Sequence, residues 1–151
     1  HITGKYYKPL EVNMDSVQKQ AILELLARAA YGFDEGDVEM LRNIFTEEAS
    51  FVINTAGVNG NAVYKGHQAI MALQTDALEV QTDKRRHVVT NTFFTSESDS
   101  KATAVSNVII TSVENGAIRL VTSGIYRDEV VREEGQWRIA SRDLDLDMSY
   151  A

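Results

Sequence analysis

Residues 101–133, KATAVSNVIITSVENGAIRLVTSGIYRDEVVRE, decide the fold. Glu114-Asn115-Gly116 divides them into two strand-like runs, 101–113 and 117–133. Asn-Gly suits the two positive φ angles of a type I′ turn, so the pair reads as a hairpin. Further strand-like runs flank it, at about 86–95 and 136–147, set off by a polar turn at 96–100 and by Glu134-Gly135. Strands of ten or more residues exceed the usual length. They are expected to bend.

Upstream the periodicity changes. Asp15-Ser16-Val17-Gln18 is a helix-start signature, a capping residue with Gln three positions on. Ile22, Leu25, Leu26, Ala29 and Phe33 then recur at three- and four-residue spacing, an amphipathic helix ending near Phe33. Gly36 breaks it from a shorter second helix, which starts at about Asp37 and puts Val38, Leu41, Ile44 and Phe45 on one face. Residues 50–54 read as a short apolar strand, 55–61 as a loop and 67–78 as a third helix. Helices first and an antiparallel meander after make an α+β fold. We expect three N-terminal helices packed on a strongly curved mixed or antiparallel sheet, forming a cone with an internal pocket. Residues 1–14 read as a flexible N-terminal segment, part of it tag-like, and 15–151 as a single domain.

Composition narrows the function. The formal charge of −7 argues against nucleic-acid and anionic-membrane partners, which need clustered Lys and Arg. The one basic cluster, Lys84-Arg85-Arg86, reads as a solvated loop at a strand start. With no cysteine, thiolate nucleophiles, disulfides and Cys-ligated metals are excluded. No signal-peptide pattern opens the chain and no apolar run approaches the roughly 18 residues of a membrane span, so a cytoplasmic protein is expected. No cofactor and no metal is expected either.

His87 is the leading candidate for chemistry. Of three histidines it alone lies inside a strand-like run, where alternation groups it with Val89, Asn91 and Phe93. That mixture of apolar walls and a few polar groups suits a small-molecule pocket, to which Tyr64 and Tyr126 are further candidates. Asp34 follows the apolar Phe33 at the helix junction. It could orient a histidine, as the third member of a triad does, or simply cap the next helix, as Asp37 does. Tyr31 shares its face at three-residue spacing. In the last strand Arg142 alternates with Ala140, Leu144 and Leu146, so its guanidinium needs a buried anion. A protein carboxylate and a substrate oxygen both meet that need. Asp143, Asp145 and Asp147 take the other face, which reads as solvated rather than as a metal site.

Four motifs in order carry a resemblance: Tyr31-x-x-Asp34-x-Gly36-Asp37, Tyr64-Lys65-Gly66, His87-x-x-x-Asn91, and Gly135-x-Trp137-x-Ile139-x-x-Arg142. Together they resemble the SnoaL-like family of the nuclear-transport-factor-2-like (cystatin-like) superfamily. In pattern they are nearest to lindane dehydrochlorinase, scytalone dehydratase and bile-acid dehydratase. The resemblance implies a cofactor-independent lyase or isomerase acting on a small hydrophobic or cyclic molecule. In it Asp34 and His87 form the acid–base dyad, and Arg142 faces the pocket with them as a catalytic residue. Tyr31, Asn91, Phe93, Tyr64 and Tyr126 are the expected substrate contacts. Two departures stand out: Ala29 occupies the place of the family's tyrosine five residues before the aspartate, and no histidine follows His87. Scytalone itself is therefore not the expected substrate. The superfamily also implies alternatives, namely a non-catalytic small-ligand binder, the small β subunit of a ring-hydroxylating dioxygenase, or a polyketide or terpenoid cyclase. It further implies a homo-oligomer, a trimer or a dimer.

Overall fold

The structure, a computed structural model, describes residues 14–150. The flexible segment expected at 1–14 falls outside them, except for Met14, which is buried in the core. Helix α1 spans Ser16–Glu35, α2 Val38–Arg42 and α3 His67–Val80. The strands are β1 Phe45–Thr55, β2 Asn61–Lys65, β3 Lys84–Glu97, β4 Lys101–Glu114, β5 Ala117–Glu133 and β6 Gln136–Leu146. They form one open six-stranded sheet in the order β2-β1-β6-β5-β4-β3. All neighbours are antiparallel except β1 and β6, which run parallel. Helices packed on a curved mixed sheet are the layout expected, and the Asn115-Gly116 hairpin falls where the turn chemistry puts it, with both residues at positive φ.

Two boundaries differ from the sequence reading. Helix α2 stops at Arg42, and Phe45 opens β1 instead of extending the helical face. Ile44 and Phe45 are still buried, at 2 % exposure each, so their apolar character reported burial rather than helix. Residues 61–65, partly assigned to a loop, form β2 against Phe51 and its neighbours.

The long strands bend at register shifts. One extra residue opposite a single partner tilts a strand and changes which side chains face inward. In β6 the shift falls between the pairs Val130–Ile139 and Glu129–Ser141. Trp137 and Ile139 face the core before it, and Arg142, Leu144 and Leu146 face the core after it. A similar shift in β5 sits at Val121. Gly124 meets a different constraint: a Cβ there would stand 2.3 Å from the carbonyl oxygen of Asp145, so no larger residue fits where β5 crosses β6.

Helix α1 lies across β3 and is tied down at both ends. Near its start Gln18 Oε1 accepts from Trp137 Nε1 at 2.7 Å. At its end Gly36, at φ 66°, closes the helix in the left-handed conformation that glycine adopts without penalty. Asp34 is thereby held in the last turn, above the start of β3.

Candidate active site

The end of α1 docks on β3 through two adjacent carboxylates. Glu35 pairs with Lys84 and with Arg86, both at 3.1 Å, on the outer side of the strand. Asp34 turns inward. Its Oδ2 accepts the backbone N–H of His87 at 2.8 Å, and its Oδ1 lies 2.6 Å from His87 Nδ1. Both side chains are almost completely buried, at 6 % and 7 % exposure. An ionised carboxylate can only accept, so Nδ1 carries a proton, and in the neutral imidazole Nε2 holds the lone pair. Phe33, one residue before Asp34, packs its ring 5.3 Å from the imidazole. Asp37 caps α2, accepting from Met40 N at 3.0 Å.

His87 lines a cavity of about 180 Å³ between the helices and the inner face of the sheet. Ala29, Ala30 and Phe33 from α1, Leu73 and Ala77 from α3, and Phe51, Ile53, Val89 and Leu144 from the sheet supply the apolar wall. The polar groups on it are Gln74, Arg85, His87, Tyr126, Arg142 and Tyr150. Arg142 is held by Asp128 in a two-point ion pair, Nε at 2.7 Å and Nη2 at 3.1 Å, and its guanidinium lies 3.9 Å from the centre of the Tyr126 ring. Burial alone would lower the arginine's pKa, but Asp128 and Tyr126 together outweigh it and the cation is held above its ordinary range. Burial raises the Tyr126 phenol, helped by Asp128 and Asp34 and opposed by Arg142, so it stays protonated.

Of the expected substrate contacts, the structure brings only Tyr126 to the cavity. Tyr31 is 58 % exposed, because it sits about 200° around the helix from the buried Ala29. Asn91 and Phe93 face away from the cavity. A shift between the pairs Thr90–Asn107 and Phe93–Val105 inserts a bulge, with Asn91 at φ 55°, and reverses the alternation. Thr92, bonded to Ser106 at 2.9 Å, and Phe94 turn inward instead, and Phe93 is exposed. Tyr64 packs against the core from β2 without reaching the cavity.

Arg85 is a correction of another kind. The basic cluster is not a solvated loop but the opening of β3, and alternation sends Arg85 to the cavity side with His87. Asp83 holds it at 3.0 Å, and its guanidinium lies 5.2 Å from the Tyr150 ring. Burial, with Tyr126 adding to it, pushes the Tyr150 phenol up to about 12 against the opposing effect of Arg85. The hydroxyl of Ser112 donates to Asp83 and, ahead of Arg85, holds the carboxyl below its usual range. A lowered folded-state pKa stabilises the fold in full above the unfolded value of about 3.9, and the contribution is lost as pH falls through the folded value. Asp83→Asn is therefore expected to lower the urea midpoint at neutral pH. Its difference from wild type should close progressively below about pH 4 in melts at a series of pH values.

The aspartates of β6 are engaged by neighbours. Asn54 Nδ2 donates to Asp143 at 2.8 Å and to Asp145 at 2.9 Å, and Arg127 pairs with Asp145 at 2.7 Å. Among the described residues no cluster of three or more His, Asp or Glu side chains is placed to hold a metal. No helix among them is long and apolar enough to cross a membrane.

Helices packed on a curved six-stranded mixed sheet around a small cavity make the cystatin-like, nuclear-transport-factor-2-like fold. The SnoaL-like domain profile matches residues 15–143, and the chain belongs to that family. Among solved structures it is similar to Rv3472, a protein of unknown function from Mycobacterium tuberculosis, at 27 % identity over 89 % of this chain and 77 % of that one, TM-score 0.74. A candidate scytalone dehydratase from Novosphingobium aromaticivorans shares 23 % identity over 87 % and 85 % of the two chains, TM-score 0.71. The β subunit of a candidate aromatic-ring-hydroxylating dioxygenase from the same organism shares 16 % over 88 % and 91 %, TM-score 0.76. At these last two identities the likeness is one of fold. A comparison with curated proteins finds no match.

Proposed function

We propose that the protein is a cofactor-independent lyase or isomerase that removes a proton from carbon in a small, largely apolar molecule. The Asp34–His87 pair at the cavity wall carries this reading. His87 Nε2 takes the proton, and Asp34 fixes the tautomer and stabilises the imidazolium that forms. The C–H electron pair becomes a carbon–carbon double bond. In an elimination the neighbouring carbon then loses its leaving group, which the imidazolium can protonate; in an isomerisation the imidazolium returns its proton at a different carbon. Arg142 and the protonated Tyr126 stand on the same wall, placed to stabilise developing negative charge. The buried carboxylate–imidazole pair supports a lyase over a binder, which needs no such pair. The test is a panel of single-ring β-hydroxy ketones and halogenated cyclohexanes assayed for elimination. His87→Ala is expected to abolish turnover on any substrate found and to keep the fold. Undiminished turnover in that variant refutes the mechanism.

The protein is also proposed to self-associate through the outer face of β3–β4–β5. Val88, Ile109, Val113, Ile118 and Leu120 lie there exposed, Ile118 at 72 % and Leu120 at 65 %. A contiguous apolar patch of this kind marks an interaction surface. Size-exclusion chromatography with light scattering should give two or three times 16.8 kDa, and Leu120→Lys should lower it. A monomer at 16.8 kDa in the wild type is the refuting result.

A further inference from the structure

Of the polar groups on the cavity wall, Gln74 alone carries a buried atom with no hydrogen-bond partner among the described residues. On α3 Ile70, Leu73, Gln74 and Ala77 share the face turned to the core and cavity, and three of the four are apolar. Gln74 is the exception. It is 5 % exposed, it lines the cavity, and its Oε1 is buried without a hydrogen-bond partner among the described residues. A leucine or methionine at this position would fill the same space and leave no polar atom unpaired. A buried carbonyl with no donor is uncommon in folded proteins, because desolvation goes uncompensated. Gln74 borders the cavity, so a molecule bound there is a source for the missing donor.

We infer that Gln74 is a specificity-determining residue, whose carbonyl selects bound molecules carrying a hydroxyl or N–H donor against that wall. This rests on the proposed use of the cavity as the substrate site. The thermodynamic argument concerns what is lost on binding. An acceptor in contact with water must give up that water when a ligand arrives, which cancels most of the gain. Gln74 Oε1 is already out of water, so a donor that reaches it is opposed by no desolvation of the acceptor. A ligand without a donor leaves the carbonyl as it was. The cavity volume sets the rest of the ligand class. At about 180 Å³ it is slightly larger than the roughly 150 Å³ apolar cavity that takes one benzene. The ligand is thus one six-membered ring with small substituents, at least one of them a donor.

Phenol and toluene are matched probes, alike in size and different in the donor. In calorimetric titration of the intact protein, phenol is expected to bind about tenfold more tightly than toluene, the effect of one net hydrogen bond. In Gln74→Leu and in Gln74→Met that preference should shrink to about twofold or less, with toluene binding undiminished and the thermal midpoint not lowered. His87→Ala should retain the tenfold preference, which separates this inference from the acid–base reading, since that reading concerns turnover alone. Three results overturn it: equal affinities or no binding of either probe in wild type, a preference that survives both Gln74 variants, or a preference lost in His87→Ala with Gln74 intact.

Discussion

Asp34→Asn is expected to leave the fold in place and to lower kcat by about 10³- to 10⁴-fold, the scale of a misassigned catalytic tautomer. The reasoning starts from the two bonds that Asp34 makes. Its Oδ2 holds the backbone N–H of His87 and its Oδ1 the imidazole Nδ1. An asparagine can keep the first with its carbonyl oxygen. Its amide must then point at Nδ1, and an amide nitrogen can only donate. Nδ1 becomes the acceptor, the ring proton moves to Nε2, and the atom facing the cavity no longer has a lone pair with which to take a proton. Position and packing are preserved and the chemistry is inverted, so the thermal midpoint should change far less than the rate. With a substrate from the elimination panel, kcat should fall while binding persists. A variant that turns over at the wild-type rate removes Asp34 from the mechanism.

The contrast between Asp34 and Asn91 shows what a sequence can express. Asp34 and His87 were legible because each is an exception in a regular pattern, a carboxylate at the end of an apolar helix face and a histidine in a strand. Arg142 was legible for the same reason, and β6 is straight enough between Arg142 and Leu146 for alternation to hold. Alternation failed in β3 because it propagates every register change. The bulge at Asn91 turns Phe93 outward and Phe94 inward, against the expected inward Phe93, and a second register shift before Ser96 ends the reversal. A turn-forming residue at positive φ within a strand was the available sign of that bulge. Arg85 was recoverable by the same alternation that placed His87, had the strand been started two residues earlier. Gln74 was visible as a polar break in the stripe of α3. The parallel pairing of β1 with β6 had no local signal, since it joins segments about 90 residues apart and depends on tertiary packing.

Arg142 met two readings in the sequence, a structural ion pair and a stabiliser of substrate charge, and one set of variants separates them. Asp128→Ala is expected to cost about 3–5 kcal/mol of stability, because it leaves a guanidinium uncompensated in the interior. Asp128 is completely buried and makes both contacts to Arg142, so no water can replace it without opening the sheet between β5 and β6. Arg142→Met alone should be comparably harmful, since it strands the carboxylate instead. Removing both charges in Asp128→Leu with Arg142→Met should recover much of the loss, as apolar replacements of buried ion pairs often do. Urea denaturation of the two single variants and the double gives the coupling directly. The double variant then answers the functional question, because it is folded without the guanidinium. If Arg142 acts only by holding Tyr126 and the strand pair, turnover should return with stability. If the nitrogen that Asp128 leaves free works on the developing anion, the stable double variant should bind substrate with kcat still reduced about 10²-fold, within the range found on removing one electrostatic donor. The arrangement favours the second result, since the guanidinium borders the same cavity as His87 and retains a donor beyond the two engaged by Asp128.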